Sequence, residues 1–236
     1  MTDAPLTTLR ELTGLEAEEV IGVDAPRARL DELHRQFLLY FPDHAHVVDE
    51  LTQAWAGQWP DPQVIVHAWL LELEGEPVGF AVVHTSLRRQ VLLQHFIGMD
   101  PQAGARLPLR WVGYFMDALR DISARDCEDA GTVLLGQLGE HHEEHLRAWS
   151  RFGYVTLDVE YREPNHGRQW AEHGDPSFFP MSPQLRVTEA GASLPFSTVA
   201  TSALEAFLLD HYLLPPDEPT VTRTLALAAA LAGPAA

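Results

Sequence analysis

The sequence predicts a mixed α/β (α+β) fold around a mixed sheet, on three observations. Three β-rich runs, VIVHAWLLEL (64–73), EPVGFAVVHTS (76–86) and QVLLQHFIGM (90–99), follow one another through short polar or turn-forming links, as an antiparallel meander does. The third run passes into a helical pattern and then a further strand, the order of a right-handed crossover between parallel strands. A later helix stops at Gly153, and alternation of apolar and polar residues resumes directly after it.

Residues 7–13 read as a first strand. Pro26 opens PRARLDELHRQFLLYF, where its missing N–H costs nothing in a first helical turn, and Leu30, Leu33, Phe37 and Phe41 recur at helical spacing. A second helix spans His44 to Trp55, with Val47, Val48 and Leu51 on its buried face, before WPDP breaks the pattern. Within the meander, Glu74-Gly75-Glu76-Pro77 makes a tight hairpin and leaves Pro77 at the start of the next strand. Val112, Phe115, Met116, Leu119 and Ile122 define a long helix, followed by an acidic loop and the strand TVLLGQL.

The next helix covers His142 to Phe152, and YVTLDVEYRE (154–163) is the expected last strand of this part. Gly, Pro and polar residues make the stretch from Pro164 to Pro183 a loop. Beyond it come a strand, QLRVTEA, and an amphipathic helix with Leu204, Phe207 and Leu208 on one face, ended by LLPPDEP and followed by a helix in TVTRTLALAAALAG. The expected organisation is therefore a domain of residues 1–164 and a C-terminal strand and helix extension, residues 165–236, packed on the same core.

At 236 residues the chain suffices for one well-buried domain with an appendage. Its 16 Lys and Arg against 34 Asp and Glu, net −18, argue against nucleic acid, whose phosphates demand cationic side chains. That balance suits cationic small molecules or basic partners, or serves solubility alone. Cys127 is the only cysteine, which excludes an intrachain disulfide and a cysteine zinc site and fits a reducing compartment. The N-terminus lacks the apolar core of a signal peptide and no window approaches 18 uninterrupted apolar residues, so a cytoplasmic protein without a membrane span is expected.

Two helices, a meander, a strand, loop and helix, a strand, a helix ending in Phe-Gly-Tyr and a final strand form an order that resembles the GCN5-related N-acetyltransferase (GNAT) superfamily. AWSRFGYVTLDVEYREP (148–164) resembles the segment in which these enzymes pair an aromatic-rich helix with a last strand. EGEPVGFAVVHTS resembles their central hairpin strand, and HFIGMDP the fourth strand leading to the coenzyme loop. The matches cover roughly residues 27–164, and the later strand and helix resemble an extension of some bacterial members.

The resemblance implies an acyl-CoA N-acyltransferase fold, acetyl-CoA as cosubstrate and a small amine as acceptor. It further implies that the backbone of Phe96, Ile97, Gly98 and Met99 faces the pantetheine arm, and that Gln102, Ala103, Gly104, Ala105, Arg106 and Leu107 form the pyrophosphate loop. Anions settle at such a place because a helix N-terminus carries roughly +0.5 charge and unpaired N–H groups. Leu107, Pro108 and Leu109 depart from the family's small residues, and Pro108 removes a donor, while Arg106 supplies charge.

Acetyl transfer to an amine needs a base, a donor for the thioester oxygen and an acid for the leaving thiolate. His95, close to where many family members carry a glutamate, is the candidate base; a sheet histidine with a structural hydrogen bond is the plainer reading. The family's tyrosine acid, four residues before the glycine, maps onto Trp149, whose indole is no acid and which serves equally as a core anchor beside Leu146. Tyr161 and Arg162 are candidates for lining a substrate groove, against simple packing and exposure. Glu72, Glu74 and Glu76 are expected to face solvent.

In GEHHEEHLR, His141 and His145 would share a helical face, but no third ligand is fixed, and Glu143 and Glu144 fit a solvated helix start; no metal is expected. Two functions stay open: an N-acetyltransferase of a small amine, and a non-catalytic binding or regulatory module on the same scaffold. Leu204, Phe207 and Leu208 would cap the core or join a homodimer.

Overall fold

A computed structural model describes residues 4–22, 25–173 and 177–233. The fold is mixed α/β with a seven-stranded mixed sheet, and the chain divides into two compact units. Residues 1–85 and 95–126 form the first, and residues 86–94 and 127–236 the second. Among the described residues no helix is long and apolar enough to cross a membrane.

The first unit opens with a helix, α1 (Ala4–Thr13), where a strand was expected over residues 7–13. The hydroxyls of Thr8 and Thr13 donate back to the carbonyls of Ala4 and Leu9, a bond that a helix offers, and Leu9 is buried. The first strand, β1 (Leu15–Glu19), comes after Gly14 and pairs antiparallel with β2 (Val64–Leu73), from Leu15 opposite Leu73 to Glu19 opposite Trp69. Between them lie α2 (Arg27–Tyr40), entered through Pro26, a short 3-10 turn (Pro42–His44) and α3 (Val47–Trp55).

β2 turns into β3 (Glu76–Ser86) through Glu74 (φ 58°) and Gly75 (φ 82°), the left-handed pair that a tight hairpin requires. β3 is buried from Gly79 to Ser86, as a strand covered on both faces would be. It neighbours β4 (Val91–Met99), whose residues from His95 onward belong to this unit. A Cβ on Gly79 would stand 2.2 Å from the carbonyl oxygen of Gly98, and one on Gly98 would strike the rings of Phe80 and Tyr40 at 2.6 and 2.8 Å. Two glycines thus permit a backbone approach and ring packing that any side chain would block. Leu30, Leu33 and Phe37 of α2, Leu51 of α3, Leu70 of β2 and Phe80 of β3 fill the core. The unit ends with α4 (Pro101–Arg106) and most of α5 (Trp111–Asp129).

In the second unit, Val91–Gln94 of β4 pair in parallel with Gly136–Gly139 of β5 (Gly136–His141). A 3-10 turn (Glu143–His145) and α6 (Leu146–Ser150) follow, shorter together than the helix expected from His142 to Phe152, and the chain reverses at Gly153 with φ 84°. The ten-residue strand expected over 154–163 is not formed. Only β6 (Val155–Thr156) joins the sheet, and β7 (Arg162–Pro164) pairs instead with β8 (Phe178–Pro180) as a separate ribbon. Burial still alternates between Val155 and Glu163, so the alternation reported which side chains turn inward while hydrogen-bond partners decided what became strand.

β9 (Ser182–Val187) runs antiparallel to both β5 and β6, giving the order β4, β5, β9, β6 in this unit. The stretch expected as loop also holds a 3-10 segment, Gly167–His173. After α7 (Glu189–Ala192) comes α8 (Phe196–Glu205), which continues as a π-helical turn, Ala206–His211, and then α9 (Pro219–Ala229). Leu204, Phe207 and Leu208 are fully buried among Leu138, Leu185, Tyr212 and Val221, the core-capping use of that stripe.

Candidate functional site

The first unit gathers His95, Phe96 to Met99 and Gln102 to Leu107; Tyr161 and Arg162 belong to the second. β4 carries His95 half-buried, its ring centroid 4.0 Å from that of His84 on β3 at an interplanar angle of 52°. Trp59 stands edgewise on His84 at 5.0 Å. Sequence reasoning passed over His84, which occupies a buried position in a strand buried throughout from Gly79 to Ser86.

Phe96 turns its side chain into an aromatic cluster, at 5.0 Å from both Phe37 and Phe41 and 5.4 Å from His44. Ile97 and Met99 are half-buried, and Gly98 lies beneath Phe80 and Tyr40.

Residues 102–107 do not form an open loop. Pro101 to Arg106 make a single short helix, and Asp100 caps it: its carboxylate accepts from the amides of Gln102 at 2.6 Å and Ala103 at 3.2 Å, while the Gly104 amide donates to the Asp100 carbonyl at 2.8 Å. The amides that a pyrophosphate would use are thus already taken by an anion of the chain itself. Arg106 is exposed and pairs with Glu74, Ala103 and Leu107 are buried, and Ala105 is exposed. A Cβ added to Gly104 would meet Met99 Cγ at 3.5 Å and Trp111 Cζ2 at 3.8 Å, ordinary van der Waals contacts.

In the second unit Tyr161 is buried, and its hydroxyl donates to the Glu140 carboxylate, which also accepts from Tyr212 at 2.6 Å. Burial pushes Glu140 up to about 7, against the pull of its two tyrosine donors, and it also raises Tyr161 and Tyr212 well above the usual phenol value. Tyr161 is thereby a structural donor, whereas Arg162 is exposed, 3.6 Å from Glu160. Trp149 is half-buried and stacks on His141 at 4.6 Å and 17°, with Tyr154 against its edge at 5.5 Å. Burial, aided by His145 and His142, pushes His141 down to about 3, so its ring stays neutral.

The first unit holds a further buried network absent from the sequence reading. His67 Nδ1 lies 2.6 Å from Glu19, and Nε2 lies 2.9 Å from Asp126, which also accepts from Thr85 at 2.7 Å. Burial opposes a charge on His67, but the hydrogen bonds to Asp126 and Glu19 prevail and push it up to about 9. Glu19, His67 and Asp126 are too far apart in sequence for any local pattern to announce them.

No protein-family model and no curated protein matches this chain in sequence. Solved structures match its fold. A chimera of the spermidine N-acetyltransferase SpeG from Vibrio cholerae and hSSAT aligns over 76% of this chain and 99% of its own, at 11% identity and a TM-score of 0.50. Mutant forms of the spermidine/spermine N-acetyltransferase SpeG from Vibrio cholerae align over 76% and 96%, at 10% and 0.48. GCN5 from Tetrahymena aligns over 73% and 95%, at 9% and 0.46. The chain has the GNAT acyltransferase fold, as the order of its elements implied, and at these identities the likeness is one of fold.

Proposed function

We propose that this chain, built on the acyl-CoA N-acyltransferase fold, transfers an acetyl group from acetyl-CoA to a small amine, with His95 as the base. The observation that carries the reading is the path of β4: a strand bearing a half-buried imidazole leads, one residue after Met99, into a helix start, the succession an acyl-CoA enzyme needs. His95 would take the proton of the bound ammonium. The freed nitrogen lone pair would then attack the thioester carbonyl, forming the C–N bond as the C–S bond breaks, and the surplus proton of the acylated nitrogen would pass to the leaving thiolate. The backbone of Phe96 to Met99 would hold the pantetheine arm, and Gln102 to Leu107 the pyrophosphate once the Asp100 carboxylate swings away. Of the two second-unit residues assigned to substrate, Tyr161 already serves Glu140 and Arg162 is exposed.

A second reading, a non-catalytic binding module, draws on the Asp100 cap, which sets a carboxylate where phosphate should sit, and on Trp149 in place of a tyrosine acid. Thiol release measured across a panel of primary amines and polyamines separates the two. Turnover that falls at least 100-fold in His95→Ala supports acetyl transfer, and no turnover together with no calorimetric heat from CoA sinks it. The amine acceptor and a homodimer remain parts of this proposal, the latter read by light scattering.

A further inference from the structure

We propose that His84 and His95 form a binding site for a late first-row divalent metal ion of the zinc type. The two residues stand on neighbouring strands, β3 and β4, and a ring nitrogen of each lies within 4.8 Å of the other's. Two imidazole nitrogens on one tetrahedral zinc ion sit about 3.3 Å apart, given metal–nitrogen bonds of roughly 2.0–2.1 Å. Rotation of the side chains closes that difference without moving either strand, because the ring centroids are already only 4.0 Å apart and tilted by 52° rather than stacked.

The donor set selects the metal. Neutral imidazole nitrogens suit zinc, cobalt, nickel and copper, whereas magnesium and calcium take oxygen. The surroundings add to the case. His84 is buried and His95 half-buried, so an ion held between them is shielded on one side and approachable on the other, leaving coordination positions for water or a substrate heteroatom as an open site does. Trp59 against His84 at 5.0 Å and Phe96 beside His95 at 6.3 Å supply apolar walls, which limit water and steady the rings.

The site does not rest on acetyl transfer, although it would affect it. A bound ion takes the nitrogen lone pair that His95 would need as a base, so metal and amine acetylation compete for one imidazole. Binding is therefore read directly, whatever the activity.

The experiment uses the untagged full-length protein, titrated with Zn²⁺ by calorimetry and with Co²⁺ by visible absorption. One saturable equivalent is expected, weakened at least 10-fold in His84→Asn and in His95→Asn, and unchanged in His145→Asn, an exposed histidine of the His-rich segment. Should His84→Asn fail to fold, imidazole NMR of the wild-type protein decides: the His84 and His95 resonances must shift before those of the other histidines on addition of Zn²⁺. No saturable binding, binding that survives both substitutions, or first shifts at other histidines would overturn the site. Absence of acetyl transfer with metal binding intact would fall on the proposed function alone.

Discussion

His67 in the first unit and Glu140 in the second are titratable groups on sheet strands, the one buried and the other half-buried, yet desolvation ends with the charged form favoured in His67 and the neutral form in Glu140. His67 meets a carboxylate at each ring nitrogen, and their attraction outweighs desolvation, so the imidazole is held charged. Glu140 meets two neutral hydroxyls rather than a countercharge, so burial holds its proton up to about 7. The lesson is that burial alone does not decide protonation; the formal charge of the partners does.

The largest expected effect comes from removing one partner of the charged network. Asp126→Asn keeps the shape but strips one of two countercharges from buried His67, with Glu19 remaining at 2.6 Å, and should lower stability by about 1.5–3 kcal/mol, read as a shift in the urea midpoint. Glu140→Gln is the matched change in the second unit. At about pH 5.5, below the value of about 7 to which burial lifts it, the carboxyl is held largely neutral, and its replacement should cost less than about 1.5 kcal/mol there. Equal losses from the two would erase the contrast.

The pH dependence sharpens the comparison next. His67 is raised above its unfolded value of 6.5, so its contribution is complete below about 6.5 and is lost as pH climbs through about 9. Glu140 is raised above 4.5, so its loss comes earlier, between about 4.5 and 7. Amide exchange should show β5 loosening first and β2 later as pH rises, and Glu140→Gln should remove only the earlier step. A single transition common to both strands would contradict separate causes.

The smallest expected effect is at α4. Asp100→Ala removes the cap and should cost about 1 kcal/mol in thermal unfolding, yet it frees the amides of Gln102 and Ala103. If the cap is what occupies the phosphate position, CoA affinity rises in this variant. Unchanged or weaker binding would mean that Asp100 does not block the coenzyme.

How much of this was legible follows from distance along the chain. The Glu74-Gly75 hairpin, the three strands of the meander and the long helix α5 rest on local backbone preference and on periodicity, and they stand as read. Residues 7–13 form a helix rather than the expected strand, and of its leucines at 6, 9 and 12, spaced three apart, Leu9 is the one buried. The position of His95 was legible from strand order, whereas its neighbour His84 was not, because which residue on the adjacent strand lies beside it depends on register. The helical form of residues 101–106 has a local signal, since Asp100 is a ready cap and Pro101 suits a first turn, but its six residues are too short for periodicity to mark.

By itself, then, the sequence determined the order of helices and strands and most faces that turn inward, because both are written in spacings of two to four residues. Tertiary structure alone decided which strand pairs with 154–163, which charges meet His67, and that Tyr161 serves Glu140 rather than a ligand. Hydrogen bonds and ion pairs join groups that are neighbours only after folding, and their strength depends on the solvent that folding removes.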